Sequence, residues 1–249
     1  MIYVCVPTHN EASTIGVLLW KTRNVLGEFD RDYRLVVHDD ASTDETPEVL
    51  QRYRRSLPLT ILRSEDRIGY GQSVERLLRW VRDESPYPKR DCAVVIQADF
   101  TESPADIVSL VKVLEGGADI VAGVPEEIRD EGRNVRLVRW AARKFLRRLI
   151  GNSPVSDPLP GLRAYRVIVL KKALRALEEG QPLIRSEGWA ANVELLGRLT
   201  PHARRIAEAP LHIRYDLQAR PSRFKPWRTV LELAKLPTSL WAEPDAEVA

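Results

Sequence analysis

Long hydrophobic runs are absent. No stretch approaches the roughly 18 uninterrupted apolar residues of a transmembrane helix, so a membrane span is not expected. Cysteine is scarce: Cys5 and Cys92 are the two in 249 residues, each inside or beside an apolar strand run. That excludes a disulfide-stapled scaffold and predicts buried, reduced thiols, as in a reducing cytosol. A charge excess is lacking as well. The formal net charge of +3 is too small to imply nucleic acid, so any basic function must be local. The amino terminus enters a strand at once, without a signal-peptide pattern. The expectation is a cytoplasmic protein, with peripheral contact at the cytoplasmic face of a membrane left open. Internal repeats and low-complexity linkers are missing too.

What is present is an ordinary soluble composition, 44% hydrophobic and 29% charged, in a chain long enough for one large α/β domain or two small ones. The first 125 residues alternate apolar runs with helical patterns. Strands are expected at Ile2–Pro7, Arg34–His38, Thr60–Arg63, Cys92–Ile96 and Asp119–Ala122. Helices are expected over Ser13–Leu26 and Gly71–Val81, and after the starts at Thr46-Pro47 and Ser103-Pro104-Ala105-Asp106, where the hydroxyls read as N-caps. This alternation predicts a mostly parallel, doubly wound sheet flanked by helices. The second half brings a basic helix (Asn134–Ile150), a turn-rich Gly151–Gly161, a strand (Leu162–Val169), two helical segments (Leu170–Glu179, Glu187–Leu199), a last strand (Ile206–Tyr215) and a short acidic tail.

The most informative run is Val94-Val95-Ile96-Gln97-Ala98-Asp99. A strand that ends on a carboxylate presents it at the carboxyl edge of a parallel sheet, where such sheets bind ligands. A carboxylate there, beside a diphosphate, usually holds a divalent cation. The other reading of Asp99 is a residue that only shapes the turn before the next helix. Two further strand ends are polar. Pro7-Thr8-His9-Asn10-Glu11 lacks the glycine triplet of a dinucleotide site, which argues against a dehydrogenase. His38-Asp39-Asp40-Ala41-Ser42-Thr43-Asp44 offers adjacent carboxylates for a nucleobase N–H or ribose hydroxyls, or for plain helix capping. Arg67-Ile68-Gly69-Tyr70-Gly71-Gln72-Ser73 is a glycine-containing loop that opens a helix. Their convergence on one edge points to a nucleotide site with a metal.

Val4–Glu11, Val36–Asp44, Gly69–Ser73 and Val94–Asp99 resemble, in order and spacing, the family-2 glycosyltransferases of the GT-A fold. Val155-Ser156-Asp157-Pro158, Gly161-Leu162-Arg163-Ala164-Tyr165 and Glu208-Ala209-Pro210 look like the polyprenyl-phosphate mannose synthase branch. The resemblance covers about residues 2–235 and implies a single GT-A domain over 1–237, before a flexible tail at 238–249. Residues 1–125 would form its nucleotide-sugar half and 126–237 its acceptor half.

The implied reaction is inverting transfer from GDP-mannose or a UDP-hexose to a polyprenyl-phosphate lipid. Pro7, His9 and Glu11 would line the nucleotide pocket with Gly71 and Gln97, and Asp40 would contact the base, with Asp39 as the second candidate. Asp99 would bind Mg²⁺ or Mn²⁺. Gln97 stands where the first acid of Asp-x-Asp is usual, removing one negative charge, although an amide oxygen still ligates a hard cation. A phosphate acceptor is already anionic and needs no strong base. A hydroxyl acceptor, on a glycolipid or polysaccharide, needs one, and Asp157 is the candidate, unless it only shapes a turn or pairs with Arg163. A third reading, motivated by Gln97, is a catalytically weak nucleotide-sugar-binding subunit.

Between Asn134 and Ile150 there is no acid. Arg136, Arg139, Arg143 and Arg147 recur at helical spacing on one stripe, which like charges would avoid without a purpose. The readings are an acceptor-phosphate site (with Arg163), an anionic membrane surface, or a merely solvated face. A separate membrane subunit is a further possible partner.

Overall fold

A computed structural model of the chain describes residues 1–129, 153–178, 180–214 and 226–237, together with Arg136, Leu137, Trp140 and Lys144. The expected tail at 238–249, the residues Arg139, Arg143 and Arg147, and most of the basic stretch lie outside the described residues.

The near-continuous apolar runs become buried strands because helices cover both sheet faces. β1 (Ile2–Thr8), β2 (Tyr33–Asp40), β3 (Leu59–Ser64) and β4 (Cys92–Val95) are parallel neighbours in the order β3-β2-β1-β4. On one face Val4, Val6, Leu35, Val37 and Val94 pack with Ile15, Leu18 and Leu19 of α1 (Ala12–Phe29) and Ile107 and Leu110 of α4 (Asp106–Glu115). On the other, Tyr3, Cys5, Val36, Ala93 and Val95 meet Val74, Leu77, Leu78 and Val81 of α3 (Tyr70–Glu84). α2 (Thr46–Arg54) joins β2 to β3. Both cysteines are free and buried, and burial pushes their thiols up, Cys92 to about 12.

The second half completes the same sheet. β5 (Ile120–Arg129) runs parallel to β7 (Ile206–Arg214), and β6 (Arg163–Arg166) lies antiparallel between β4 and β5. The seven-stranded order is β3-β2-β1-β4-β6-β5-β7. α5 (Val167–Ala176) and α6 (Gly188–Leu199) extend the α3 layer, and α7 (Pro226–Ala234) packs on α6 through Leu233.

Three local expectations are corrected. Residues 167–169 are helical, not the end of a strand, because Val167, Leu170 and Leu174 are buried at helical spacing and that period outweighs β-propensity. Thr46 does not cap α2: its hydroxyl accepts the Glu11 amide at 2.9 Å, while Asp44 Oδ1 accepts the Thr46 amide at 3.0 Å. Nor does a side chain cap α4.

β1 is the topological switch. The chain leaves it towards β2 and β3 on one side, then returns to place β4 on the other. The crevice beyond the carboxyl ends of β1 and β4 is where such folds bind ligands.

Candidate active site at the carboxyl edge of the sheet

Three turns leave this edge, and each contains a non-glycine residue in left-handed backbone: Asn10 (φ 52°) after β1, Ala41 (φ 51°) after β2 and Phe100 (φ 66°) after β4. Such conformations cost energy and concentrate at functional sites. The surrounding hydrogen bonds hold them. Asn10 Oδ1 accepts the Thr43 amide at 2.7 Å, and the Asn10 amide donates to Ser42 Oγ at 2.9 Å. His9 Nδ1 lies 2.7 Å from the Asp40 carbonyl oxygen, which fixes its ring beside the crevice. Glu11 is buried and accepts from the Thr14 hydroxyl at 3.2 Å. Pro7 pairs in register with His38.

The two carboxylates after β2 do different things. Asp39 Oδ1 accepts the Ser42 amide at 3.1 Å, and its Oδ2 lies 3.5 Å from Arg63 Nε. Asp40 takes the amides of Ile68 at 2.7 Å and Gly69 at 2.9 Å, so it shapes the glycine loop. Gly71 is buried in that loop's helix, and a Cβ there would sit 2.2 Å from the Ser186 carbonyl oxygen.

Asp99 Oδ1 accepts the Thr101 amide at 3.1 Å and its hydroxyl at 2.7 Å. Among the described residues no cluster of three or more His, Cys, Asp or Glu side chains forms a metal cage. A lone carboxylate with an amide oxygen from Gln97 suits a cation that takes its other ligands from a diphosphate and water, as Mg²⁺ commonly does. The donor set therefore fits Mg²⁺ or Mn²⁺ bound together with nucleotide.

Sheet topology, not sequence proximity, brings the second half here. β6 is antiparallel, so its first residue, Arg163, pairs with Val95, the last residue of β4, and with Ala122 of β5. The Asp157–Leu162 turn thus arrives beside the Gln97–Asp99 turn. Asp157 is buried, with Oδ1 accepting the Leu159 amide at 3.1 Å. Glu208 accepts the Ser156 amide at 2.5 Å. Arg163 is buried, and its guanidinium donates to the carbonyls of Pro158 and Asn192.

Sequence reasoning passed over four residues that join these turns. Glu102, 2% exposed, accepts the amides of Gln97, Gly161 and Leu162. Burial pushes its carboxyl up to about 7, against the pull of those amides. Tyr70 donates its hydroxyl to Asn192 Oδ1 at 2.8 Å, and Asn192 Nδ2 donates to the Leu159 carbonyl at 2.9 Å. Glu187 accepts the Tyr70 amide at 2.8 Å. An acid three positions after Asp99 was a visible signal for Glu102. Asn192 and Glu187 gave none, since Tyr70, which both meet, is more than a hundred residues away.

Arg136, Leu137, Trp140 and Lys144 are exposed, with Leu137 at 63% and Trp140 at 56%. Lys144 Nζ lies 5.2 Å from the Trp140 ring centroid. Apolar side chains thus stand among basic ones. No helix among the described residues is long and apolar enough to cross a membrane.

The model of the family described as "Glycosyl transferase family 2" matches residues 3–174. The undecaprenyl-phosphate 4-deoxy-4-formamido-L-arabinose transferase of Edwardsiella ictaluri is 26% identical over 177 residues, 71% of this chain and 52% of its own. Glycosyltransferase AglD of Haloferax volcanii is 27% identical over 217 residues, 84% of this chain and 32% of its own. The chain spans about half the length of the first of these relatives, and less of the second. Among solved structures, glucosyl-3-phosphoglycerate synthase from Mycobacterium tuberculosis with Mn²⁺, UDP and phosphoglyceric acid superposes with a TM-score of 0.63 at 23% identity. That match covers 100% of this chain and 81% of the other. S. aureus TarS 1–349 with UDP gives 0.57 at 19% identity over 85% of this chain and 59% of the other. These structural likenesses establish the shared fold.

Proposed function

The chain belongs to glycosyl transferase family 2, and from that premise we propose that it is an inverting transferase that moves a hexose from a nucleotide sugar to a polyprenyl phosphate. The observation that carries the reading is the meeting of the Gln97–Asp99 turn and the Asp157–Arg163 turn at one sheet edge. One would serve the donor and the other the acceptor. The relatives from Edwardsiella and other bacteria, which carry undecaprenyl phosphate in their names, support the acceptor class.

In this reading Pro7, His9, Glu11, Asp39 and Asp40 form the base and ribose side, directly or through the loop that Asp40 holds. Asp99, with Gln97, binds a divalent cation that neutralises charge on the leaving diphosphate. The acceptor's phosphate oxygen attacks the anomeric carbon from the face opposite the diphosphate, and inversion follows. That oxygen is already anionic, so Asp157, occupied by the Leu159 amide, shapes the turn. Arg136, with Arg139 and Arg143 of the same basic stretch, meets the lipid phosphate or the anionic surface around it. Arg163, committed to two carbonyls, supports the turn from behind. The exposed Leu137 and Trp140 fit peripheral contact with a membrane surface.

The test is thermal unfolding with GDP, UDP and their sugar conjugates, with and without Mn²⁺, followed by transfer to a short-chain polyprenyl phosphate in detergent. Ligand at about 100 times its Kd adds about 2.7 kcal/mol, a shift of several degrees at about 2–4 °C per kcal/mol. The expected result is a metal-dependent shift for one nucleotide, multiple turnovers, and loss of transfer in a folded Asp99→Ala protein. An Asp99→Ala enzyme that remains active and metal-dependent refutes the metal assignment. Nucleotide binding without turnover would indicate a binding subunit.

A further inference from the structure

Glu102 stands out because nothing in its local sequence context requires it to be buried. It lies four residues before the start of α4 and caps no helix. Its Oε2 accepts the Gln97 amide at 3.1 Å, and its Oε1 accepts the amides of Gly161 at 3.0 Å and Leu162 at 2.7 Å. One carboxylate thus satisfies three backbone donors on two segments more than fifty residues apart in the chain. Close approach is possible because position 161 has no side chain. A Cβ there would lie 3.0 Å from the Tyr70 hydroxyl, 3.2 Å from Gln97 Nε2 and 3.4 Å from Glu102 Oε1.

The two segments are the functional ones. Gln97 and Asp99 carry the donor-side turn, and Gly161 and Leu162 close the turn that begins at Asp157. Buried amides left without acceptors cost free energy, so a group that serves three of them dictates where both turns sit. Within the first of these turns, Asp99 Oδ1 accepts from the Thr101 amide and hydroxyl.

We infer that Glu102 is a positioning residue: its buried carboxylate joins the Gln97–Asp99 turn to the Gly161–Leu162 turn and so sets the donor side of the site relative to the acceptor side. The inference rests on the donor and acceptor roles proposed above. The backbone of residue 97 is fixed by Glu102, whatever the side chain at 97 contributes.

Glu102→Gln and Glu102→Ala separate the two attachments. The glutamine oxygen serves the two amides of Gly161 and Leu162, while its NH₂ faces the Gln97 amide, donor against donor. Alanine removes both attachments. In hydrogen-exchange mass spectrometry of the ligand-free protein, Glu102→Ala should raise exchange about tenfold or more in peptides spanning 95–101 and 159–163. Glu102→Gln should raise it in the first alone. In parallel, affinity for UDP or GDP with Mn²⁺ should fall about tenfold in Glu102→Gln, with less than a twofold change in EDTA.

Unchanged protection of both peptides overturns the inference. So does a rise spread across the whole chain, or an equal fall in metal-supported and metal-free affinity, because those report general destabilisation. If the parent protein's nucleotide binding ignores Mn²⁺, the metal reading of Asp99 fails, and the exchange pattern alone decides for or against Glu102.

Discussion

Asp40 and Glu187 hold four successive backbone amides between them. Asp40 accepts from Ile68 and Gly69 at 2.7 and 2.9 Å, and Glu187 accepts from Tyr70 and Gly71 at 2.8 and 3.4 Å. Three of them, from Gly69 to Gly71, are unsatisfied donors at the start of α3, whose N-cap, Gly69 (φ 91°), has no side chain to offer. Two carboxylates distant in sequence, one on β2 and one before α6, replace a local cap and fix where the glycine loop sits.

Glu187→Ala is expected to cost about 1 kcal/mol, the usual worth of a helix cap, and to lower Tm by about 2–4 °C. Asp40→Ala should cost more, about 1–3 kcal/mol, because its side chain is buried. It should also weaken nucleotide binding through the loop. Thermal unfolding with and without nucleotide checks both.

Gly71→Ala should destabilise through overpacking. The new methyl would meet the Ser186 carbonyl oxygen at 2.2 Å and Ile184 Cγ2 at 2.9 Å. The 184–186 segment cannot retreat easily, since the Ile184 amide donates to Glu75 Oε2 at 2.8 Å and Gln72 Nε2 donates to the Ile184 carbonyl. The expected loss is about 1–3 kcal/mol, read as a lower urea midpoint with unchanged slope.

Two buried groups pull stability in opposite directions with pH. His38 is fully buried, and burial with the nearby Arg76 charge pushes it down to about 4. Its Nε2 meets Ser64 Oγ at 3.0 Å, while Nδ1 has no hydrogen-bond partner. Between about pH 6.5 and 4 the unfolded chain takes a proton that the folded one refuses, so stability falls on acidification. Glu102, raised from 4.5 to about 7, does the reverse, and its contribution is lost as pH rises across that interval. Each effect is on the order of 3 kcal/mol. Relative to the parent, His38→Asn should therefore gain stability as pH falls from 6.5 to 4. Glu102→Gln should gain as pH rises from 4.5 to 7. Urea unfolding across that range reads both, and parallel profiles for parent and variants would refute them.

Trp140→Ala and Leu137→Ala should each weaken association with vesicles of anionic lipid by about tenfold or more, since burying one such side chain is worth about 1.5–3 kcal/mol. Neither should alter transfer to a short-chain acceptor in detergent. Flotation of the protein with phosphatidylglycerol-rich vesicles, against neutral ones at matched salt, makes the comparison.

The sequence by itself determined the alternation of buried strands and amphipathic helices, because period-2 and period-3.6 patterns are local and the continuous apolar runs demand cover on both sheet faces. It also placed Asp39 and Asp40 at the end of β2 and Asp99 in the turn after β4, since each stands within a few residues of the end of an apolar run. Only the tertiary structure decided what those groups touch. That Asp40 serves Ile68 and Gly69, and that Thr46 holds Glu11 instead of capping its helix, both depend on partners that become neighbours only after folding. The meeting of the Asp99 turn with Gly161 and Leu162 is the extreme case. It follows from one antiparallel strand, β6, inserted between β4 and β5, and a strand's direction in a sheet is set by pairing across the whole fold, not by its own four residues.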